Sequence, residues 1–277
     1  MANTPDPAAI RAQNIRAFGA IRARFEARAG RSFVASLHEA GGLRLKFPRA
    51  PRDCEAVVVN TAGGVVAGDQ ADLSFAAGEG ARAILTTQSA EKIYRSEGAT
   101  ARIALRLAAG AGARLDWMPQ ETILFDQARL ERRLEADMAA DATLTVLEAI
   151  TFGRLSMGEV TRTGLLCDRW RVRRNGVLIF AEAMRLGEDI AGALDRPAMG
   201  GGARAVATLL HVAPDAAARV DALREAAAPF ENVEAGFSAW NGMLVGRLVS
   251  ASPEALRACI VSLLTILRGG PPPRVWR

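Results

Sequence analysis

Short segments in which apolar and polar residues alternate dominate the chain. "TARIALRL" sets Ala101, Ile103, Leu105 and Leu107 against Arg102, Ala104 and Arg106, the period-2 signature of a strand with one buried face. "ADLSF", "RAILTTQ", "ARLDWM", "TLTVLEAI" and "RAVATLLHV" repeat it, and Val57, Val58 and Val59 read as a buried strand. In "DRWRVRRNGVLIFAEA", Trp170 and Val172 alternate with Arg169, Arg171 and Arg173, and Asn175-Gly176 supplies the positive-φ pair of a type I′ hairpin. Residues 129–140 carry two periods, since Leu130, Leu134 and Met138 suit a helix while the wider alternation suits a strand; the strand is the expectation. Gly-Ala breaks such as "AAGEGA" and "AAGAGA" separate neighbouring strands as turns.

Two helices are expected, both late. One lies in "PDAAARVDALREAAAPF"; the other, in "SPEALRACIVSLLTILRGG", has Ser252 as N-cap, Pro253 at its first position and Gly269 as its stop. Strands that follow one another without intervening helices predict a mainly antiparallel β-protein. Residues 1–17 are expected to be a flexible N-terminus, residues 18–277 a single domain, and "GGPPPRVWR" an irregular tail.

Composition narrows the class. Half of the 277 residues are hydrophobic, which suits a globular chain, yet no stretch approaches the roughly 20 apolar residues of a membrane span. The opening residues lack the apolar centre and cleavage site of a secretory signal, so the cytoplasm is the expected compartment and no membrane partner is expected. Cys54, Cys167 and Cys259 are odd in number and widely spaced, which predicts small buried hydrophobes rather than a disulfide framework or a zinc site. The formal charge of +5 raises nucleic acid as a partner, but arginine alternates with acid along most of the chain and aromatics make up only 5%. A solvated basic surface is the expectation instead, with an acidic protein partner open, because arginine pairs bidentately with carboxylates.

Candidate chemistry is sparse. The glycines of "VVVNTAGGVVAGDQADLSF" suggest a phosphate cradle, but their G-G-x-x-x-G spacing is not that of a dinucleotide fingerprint, and a strand rather than a helix follows. A tight turn or bulge is the expectation, and a phosphate- or nucleotide-binding enzyme using the 60–69 loop is the rival. His38 and His211, the only histidines, are far apart, so no Ser-His-Asp or Cys-His pair is readily assembled and each is expected to be a structural or surface histidine. Asp69, Glu121, Glu148 and Glu159 punctuate apolar segments; such carboxylates face solvent, pair with arginine or line a wet passage. From the residues alone, binding or scaffolding is favoured over catalysis.

Four blocks, "NTAGGVVAGD", "LTTQSAEKIYRS", "WMPQETILFDQARL" and "EAITFGRLSMGE", stand in an order and spacing that resembles the UreD (UreH) family of urease accessory proteins. The resemblance extends outward through "RARFEARAGRSFVASLHEAGGLRLKFPR", "DRWRVRRNGVLIFAEAMRL" and "PRVWR". It departs in the segment "GGLRLKFPRAPRDCEAVVVN", which is shorter than in many members, and in the first 17 residues, which have no counterpart.

The resemblance implies a mainly β fold, its strands stacked in a helical or layered arrangement with a pair of helices. It implies a non-catalytic urease maturation factor that binds UreF, works with the GTPase UreG through UreF, and docks on the urease apoprotein. UreE is then the nickel donor, and nickel is cargo in transit rather than a permanently bound cofactor. A water-filled passage through the protein is the implied nickel route, which suits hard, exchangeable oxygen ligands.

The family's motif residues fall on Gly63, Gly64, Gly68 and Asp69, on Thr86, Thr87 and Gln88, and on Lys92, Tyr94, Arg95 and Ser96. They continue at Pro119, Gln120 and Glu121, and at Gly153, Arg154, Gly158 and Glu159. Asp69, Thr87, Glu148 and Glu159 are the expected passage or interface groups. The competing reading is structural, an ion pair with an arginine such as Arg95 or Arg154; for Tyr94 it is a packed strand position against an interface anchor.

Overall fold

The structure is a computed structural model that describes residues 17–48 and 53–276. The expected flexible N-terminus lies, but for Ala17, outside the described residues.

The chain crosses between two sheets. β4 (Cys54–Asn60), β6 (Arg82–Thr87), β9 (Arg114–Trp117) and β12 (Thr143–Phe152) lie side by side in one sheet, while β5 (Gln70–Ala77), β8 (Ala101–Ala109), β11 (Arg129–Met138) and β13 (Leu165–Arg174) lie in the other. Each strand in the series is thus followed by one on the opposite layer. The result is a stack of two-strand coils.

Hairpins and edge strands close the stack. The sheet built on β5 gains β1 (Phe18–Arg28) and β2 (Arg31–Ala40) at one side and β14 (Val177–Gly187) at the other, seven strands in all. The second sheet gains β3 (Leu43–Lys46), β15 (Ala205–Val212), β16 (Val233–Trp240) and β17 (Met243–Ser250). Two short strands, β7 (Glu91–Ile93) and β10 (Thr122–Leu124), extend it alongside β12.

Stacked, mainly β architecture is as expected, but the pairing differs from the mostly antiparallel expectation. Among the described strands, nine of the fifteen pairings are parallel, and antiparallel pairs are confined to the flanking strands. The reason lies in the glycine turns. "AAGEGA" and "AAGAGA" lead from one sheet to the other, so a strand meets its lateral neighbour only after a full coil and runs in the same direction. Alternation along a strand is identical for either pairing.

Other expectations hold. Residues 129–138 form a strand, and β13 turns into β14 through Asn175 (φ 50°) and Gly176 (φ 77°), with a bulge at Val172/Arg173. Among the described residues there are three α-helices, the two expected, α2 (Val220–Ala227) and α3 (Pro253–Arg268), and a short one that was not, α1 (Ile190–Asp195). The Ser252 hydroxyl accepts from the Ala255 amide at 3.1 Å, and Gly269 in the left-handed region (φ 62°) ends α3. Leu256, Ile260, Leu263 and Leu267 of α3 pack on the outer face of the ten-stranded sheet with Leu223 of α2. No helix among the described residues is long and apolar enough to cross a membrane. The tail is irregular yet docked, because Trp276 is buried and its indole donates to the Met118 carbonyl at 3.0 Å.

Candidate functional site

The inner faces of the two sheets enclose two apolar layers with a charged layer between them. β11 turns Leu130, Arg132, Leu134 and Ala136 inward; Leu130 joins one buried cluster with Ile150 and Leu166, and Leu134 another with Val146 and Trp170. Arg132 holds the level between. Asp168, its register neighbour on β13, accepts from its Nε at 3.1 Å and its Nη2 at 2.5 Å. Nη1 donates to Glu148 of β12 and, at 3.4 Å, to Thr122 of β10. Indole donors complete the set: Trp117 to Glu148 at 2.8 Å and Trp170 to Asp168 at 3.2 Å. Two carboxylates thus share one guanidinium inside the protein. Burial pushes the Glu148 carboxyl up against the opposing pull of Arg132; burial also works against the charge on Arg132, but Asp168 and Glu148 hold it protonated.

Beside this layer is a cavity of about 70 Å³, lined by Leu73, Leu105, Trp117, Thr122, Arg132 and Glu148 and, at its other end, by Asn60, Thr87 and Glu91. Asn60, Thr87 and Glu91 also line a second cavity of about 90 Å³ with Gly63, Gly64, Gln88, Ser89 and Lys92. A third, of about 40 Å³, is bounded by Asn60, Gly64, Val65, Asp69 and Gln70. Asn60 is the corner common to all three. Its Nδ2 donates to both carboxylate oxygens of Glu91, at 3.1 and 3.2 Å. Burial pushes Glu91 up to about 7, partly offset by that Asn60 bond. A carboxyl that exchanges protons near neutrality therefore sits where two cavities meet.

The glycine loop is tied into the protein by several of its own amides: Gly63 donates to Asn60 O, Val65 to Lys92 O, Ala62 to Asn60 Oδ1 and Val66 to Asp69 Oδ2. β5 follows it, not a helix. At Gly64 a Cβ would overlap the Tyr94 ring, and Tyr94 in turn donates to Gly63 O at 3.2 Å and meets Phe125 edge-on. The rival of a nucleotide-binding loop lacks the helix N-terminus that holds a pyrophosphate, and the loop turns the Asp69 carboxylate into its own bend instead.

The sequence-selected residues divide into distinct settings. Asp69 caps its own turn at Val66 N and also accepts from Ala17 N at 2.9 Å, while bordering the smallest cavity. Gly68 supplies that turn's positive φ, 81°. Thr87 accepts from Gln120 N at 2.9 Å and donates to Ser89 O at 3.0 Å at the junction of the two larger cavities. Glu148 belongs to the charged layer. Glu159 pairs with Arg154 at 2.6 Å on the surface, away from all three, and Arg154 lies over the Phe125 ring. Glu121 and Gln120 meet Arg257 of α3, Gln120 also donating to Val275 O at 3.0 Å beside Pro119, so this block anchors the C-terminal segment. Lys92 contributes its carbonyl to Val65, Arg95 bridges to Ala128, and the Ser96 hydroxyl donates to the Ala99 carbonyl.

Gly153 (φ 96°) and Gly158 (φ 72°) shape the turn around Glu159 differently. A Cβ on Gly153 would overlap the Glu159 carbonyl oxygen and lie 2.8 Å from Val160 Cα, whereas one on Gly158 meets nothing within 4 Å. Gly153→Ala is therefore expected to cost about 2–4 kcal/mol and Gly158→Ala about 1 kcal/mol, read by thermal or urea denaturation. Equal losses would show that the turn adjusts freely.

Asn60, Glu91, Trp117, Thr122, Arg132 and Asp168 were not singled out from the sequence as site residues. A signal existed for two of them. Arg132 and Asp168 occupy the apolar phase of "RLERRLEAD" and "LLCDRWRV", where each charge must be paired inside.

A family model described as UreD urease accessory protein matches residues 17–277. Among curated proteins, the urease accessory protein UreD of Xanthobacter autotrophicus is 49% identical over 266 residues, covering 96% of this chain and 92% of that protein. The UreD proteins of Azorhizobium caulinodans (49% over 264 residues, 94% and 96% covered) and of Methylobacterium sp. strain 4-46 (49% over 253 residues, 90% and 90% covered) are similar to the same extent. The four ordered blocks and the match along nearly the whole chain lead to one conclusion: the chain belongs to the UreD family of urease accessory proteins, non-catalytic factors of urease maturation.

Proposed function

We propose that the chain is the UreD component of a nickel-insertion complex, binding UreF directly and UreG through UreF, and docking on the urease apoprotein in the cytoplasm. UreE supplies the nickel, and the inter-sheet cavities form the route by which it travels as cargo. The observation that carries this reading is the meeting of three cavities at Asn60, with Glu91 and Thr87 at the junction and Glu148 at the inner end. These groups are oxygen donors. A divalent ion held by several thiolates or imidazoles would stay, whereas carboxylate, hydroxyl and amide oxygens exchange readily. Asp69 borders the same system and is a passage group in this reading, while Glu159, outside it, is left as an interface group.

The test uses a strain lacking the gene and any second copy, grown on limiting nickel, together with pull-down on UreF. The deletion is expected to leave urease synthesised but short of nickel, and the wild-type chain to restore it. Glu91→Gln and Asp69→Ala are expected to co-purify with UreF yet lower the nickel per urease active site severalfold, measured by elemental analysis. Nickel-replete, fully active urease in the deletion strain would overturn the maturation complex; unchanged loading by both variants would remove the passage and return Asp69 to a turn residue.

A further inference from the structure

The two sheets differ on their outer faces. That of the ten-stranded sheet packs against α2 and α3, whereas Arg102 and Arg106 of β8, Arg133, Glu135 and Asp137 of β11, and Arg169 and Arg171 of β13 point outward and are exposed. Register places Arg133 of β11 directly beside Arg169 of β13, with Ala183 of β14 on the far side of Arg169 and Ala181 beside Arg171. Like charges side by side on adjacent strands cost stability unless something of opposite sign is near. On the same face, Arg102 has Glu131 at 3.4 Å and Arg106 has Asp72 at 2.7 Å. No ion pair among the described residues involves Arg133, Arg169, Arg171 or Arg185. Arg171 has Glu135 as its register neighbour on β11 but outside ion-pair distance, so a patch of unpaired guanidinium groups stands on a floor of alanines.

Next to the patch the sheet is hollowed. A depression of about 310 Å³ opens over Ala104, which lies between Arg133 and Asp72; Arg102 and Glu131 also line it, and Phe18, 55% exposed, borders it. An exposed aromatic beside a concavity and a set of unpaired arginines are the features by which protein interfaces are anchored.

We propose that the outer face of the seven-stranded sheet docks an acidic protein surface, whose carboxylates pair with Arg169 and Arg171 while an apolar side chain enters the depression beside Phe18. A protein fits better than a nucleic acid, because it can set discrete carboxylates at Arg169 and Arg171 and clear of Asp72, Glu131, Glu135 and Asp137 on the same face, which a continuous phosphate backbone would have to cross. Guanidinium forks also match carboxylates bidentately. The inference rests on the reading that the chain works within a protein assembly.

The experiment compares the wild-type chain with Arg169→Glu/Arg171→Glu and with a control of equal charge change, Arg162→Glu/Arg196→Glu, in loops outside this face. Each is co-expressed with UreF, and binding to UreF and to the urease apoprotein is measured at ~50 mM and ~300 mM salt. The sheet variant is expected to lose at least ~tenfold in affinity for one of the two partners, with a weaker salt dependence, while the control stays near wild type and both keep the wild-type melting temperature. Unchanged binding of both partners by the sheet variant overturns the proposal, as does an equal loss in the control. Competition for this face by a short single-stranded DNA that the sheet variant no longer binds assigns it to nucleic acid instead and also overturns it. A wild-type chain that binds neither partner overturns the assembly reading and this docking surface with it.

Discussion

Arg132→Met is expected to destabilise the protein by about 3–5 kcal/mol, the cost of stranding buried charge. The guanidinium is the only cation in contact with Glu148 and Asp168 among the described residues, and all three side chains are nearly inaccessible to solvent. Without it, the two carboxylates must take up protons or draw in water. Neutral replacements of the acids relieve that conflict. Arg132→Met/Glu148→Gln/Asp168→Asn retains acceptors for the Trp117 and Trp170 indoles and is expected to recover more than half of the loss. Urea unfolding at neutral pH of the single and triple variants gives the coupling directly. A loss below about 1 kcal/mol for Arg132→Met would mean that water reaches this layer freely, and the charged layer would then not separate the two apolar clusters.

The second large effect concerns acid. Asp116, Thr145 and His211 stand in one row across β9, β12 and β15, and His211 Nδ1 lies 3.1 Å from the Thr145 hydroxyl. Burial lowers His211 to about 4 from its ordinary 6.5, with Asp116 opposing the shift and Arg114 adding to it. The folded protein therefore binds this proton less readily than the unfolded chain. Stability from the neutral imidazole is complete above about pH 6.5 and is lost as pH falls toward 4, a change of about 3 kcal/mol. Glu91 acts in the opposite sense: its folded value, about 7, lies above its unfolded value, so its proton uptake favours the folded state as pH drops. The histidine contribution is isolated by difference. Between pH 7.5 and 4.5 the stability of wild type relative to His211→Gln should fall by ~2.5 kcal/mol; a difference independent of pH would show that the imidazole is already solvated.

The sequence and the structure agree wherever a local rule suffices. Ser252, Pro253 and Gly269 mark α3 because a helix end needs a side-chain acceptor, a residue that gives up no amide bond and a left-handed stop. Asn175-Gly176 marks the β13–β14 turn for a similar local reason. The inward phase of each strand was also legible, down to the charges that break it at Arg132 and Asp168. Their partner across the sheets was not, because Glu148 lies on the other layer and nothing in one strand's alternation reports which strand faces it.

Family identity was legible through four ordered blocks, but what those blocks do was not. "WMPQE" seats the C-terminal segment through Gln120 and Glu121, and "NTAGG" packs Gly64 under Tyr94; each contact joins residues far apart in the chain. The sequence by itself determined the elements, their buried faces and the family, since these depend on periodicity, turn chemistry and residue order. Only the tertiary structure decided that neighbouring strands run parallel, that Asn60 and Glu91 share a junction of cavities, and that the glycine loop packs against Tyr94. Those outcomes depend on which sheet each turn leads into, a long-range choice that alternation of side chains leaves open.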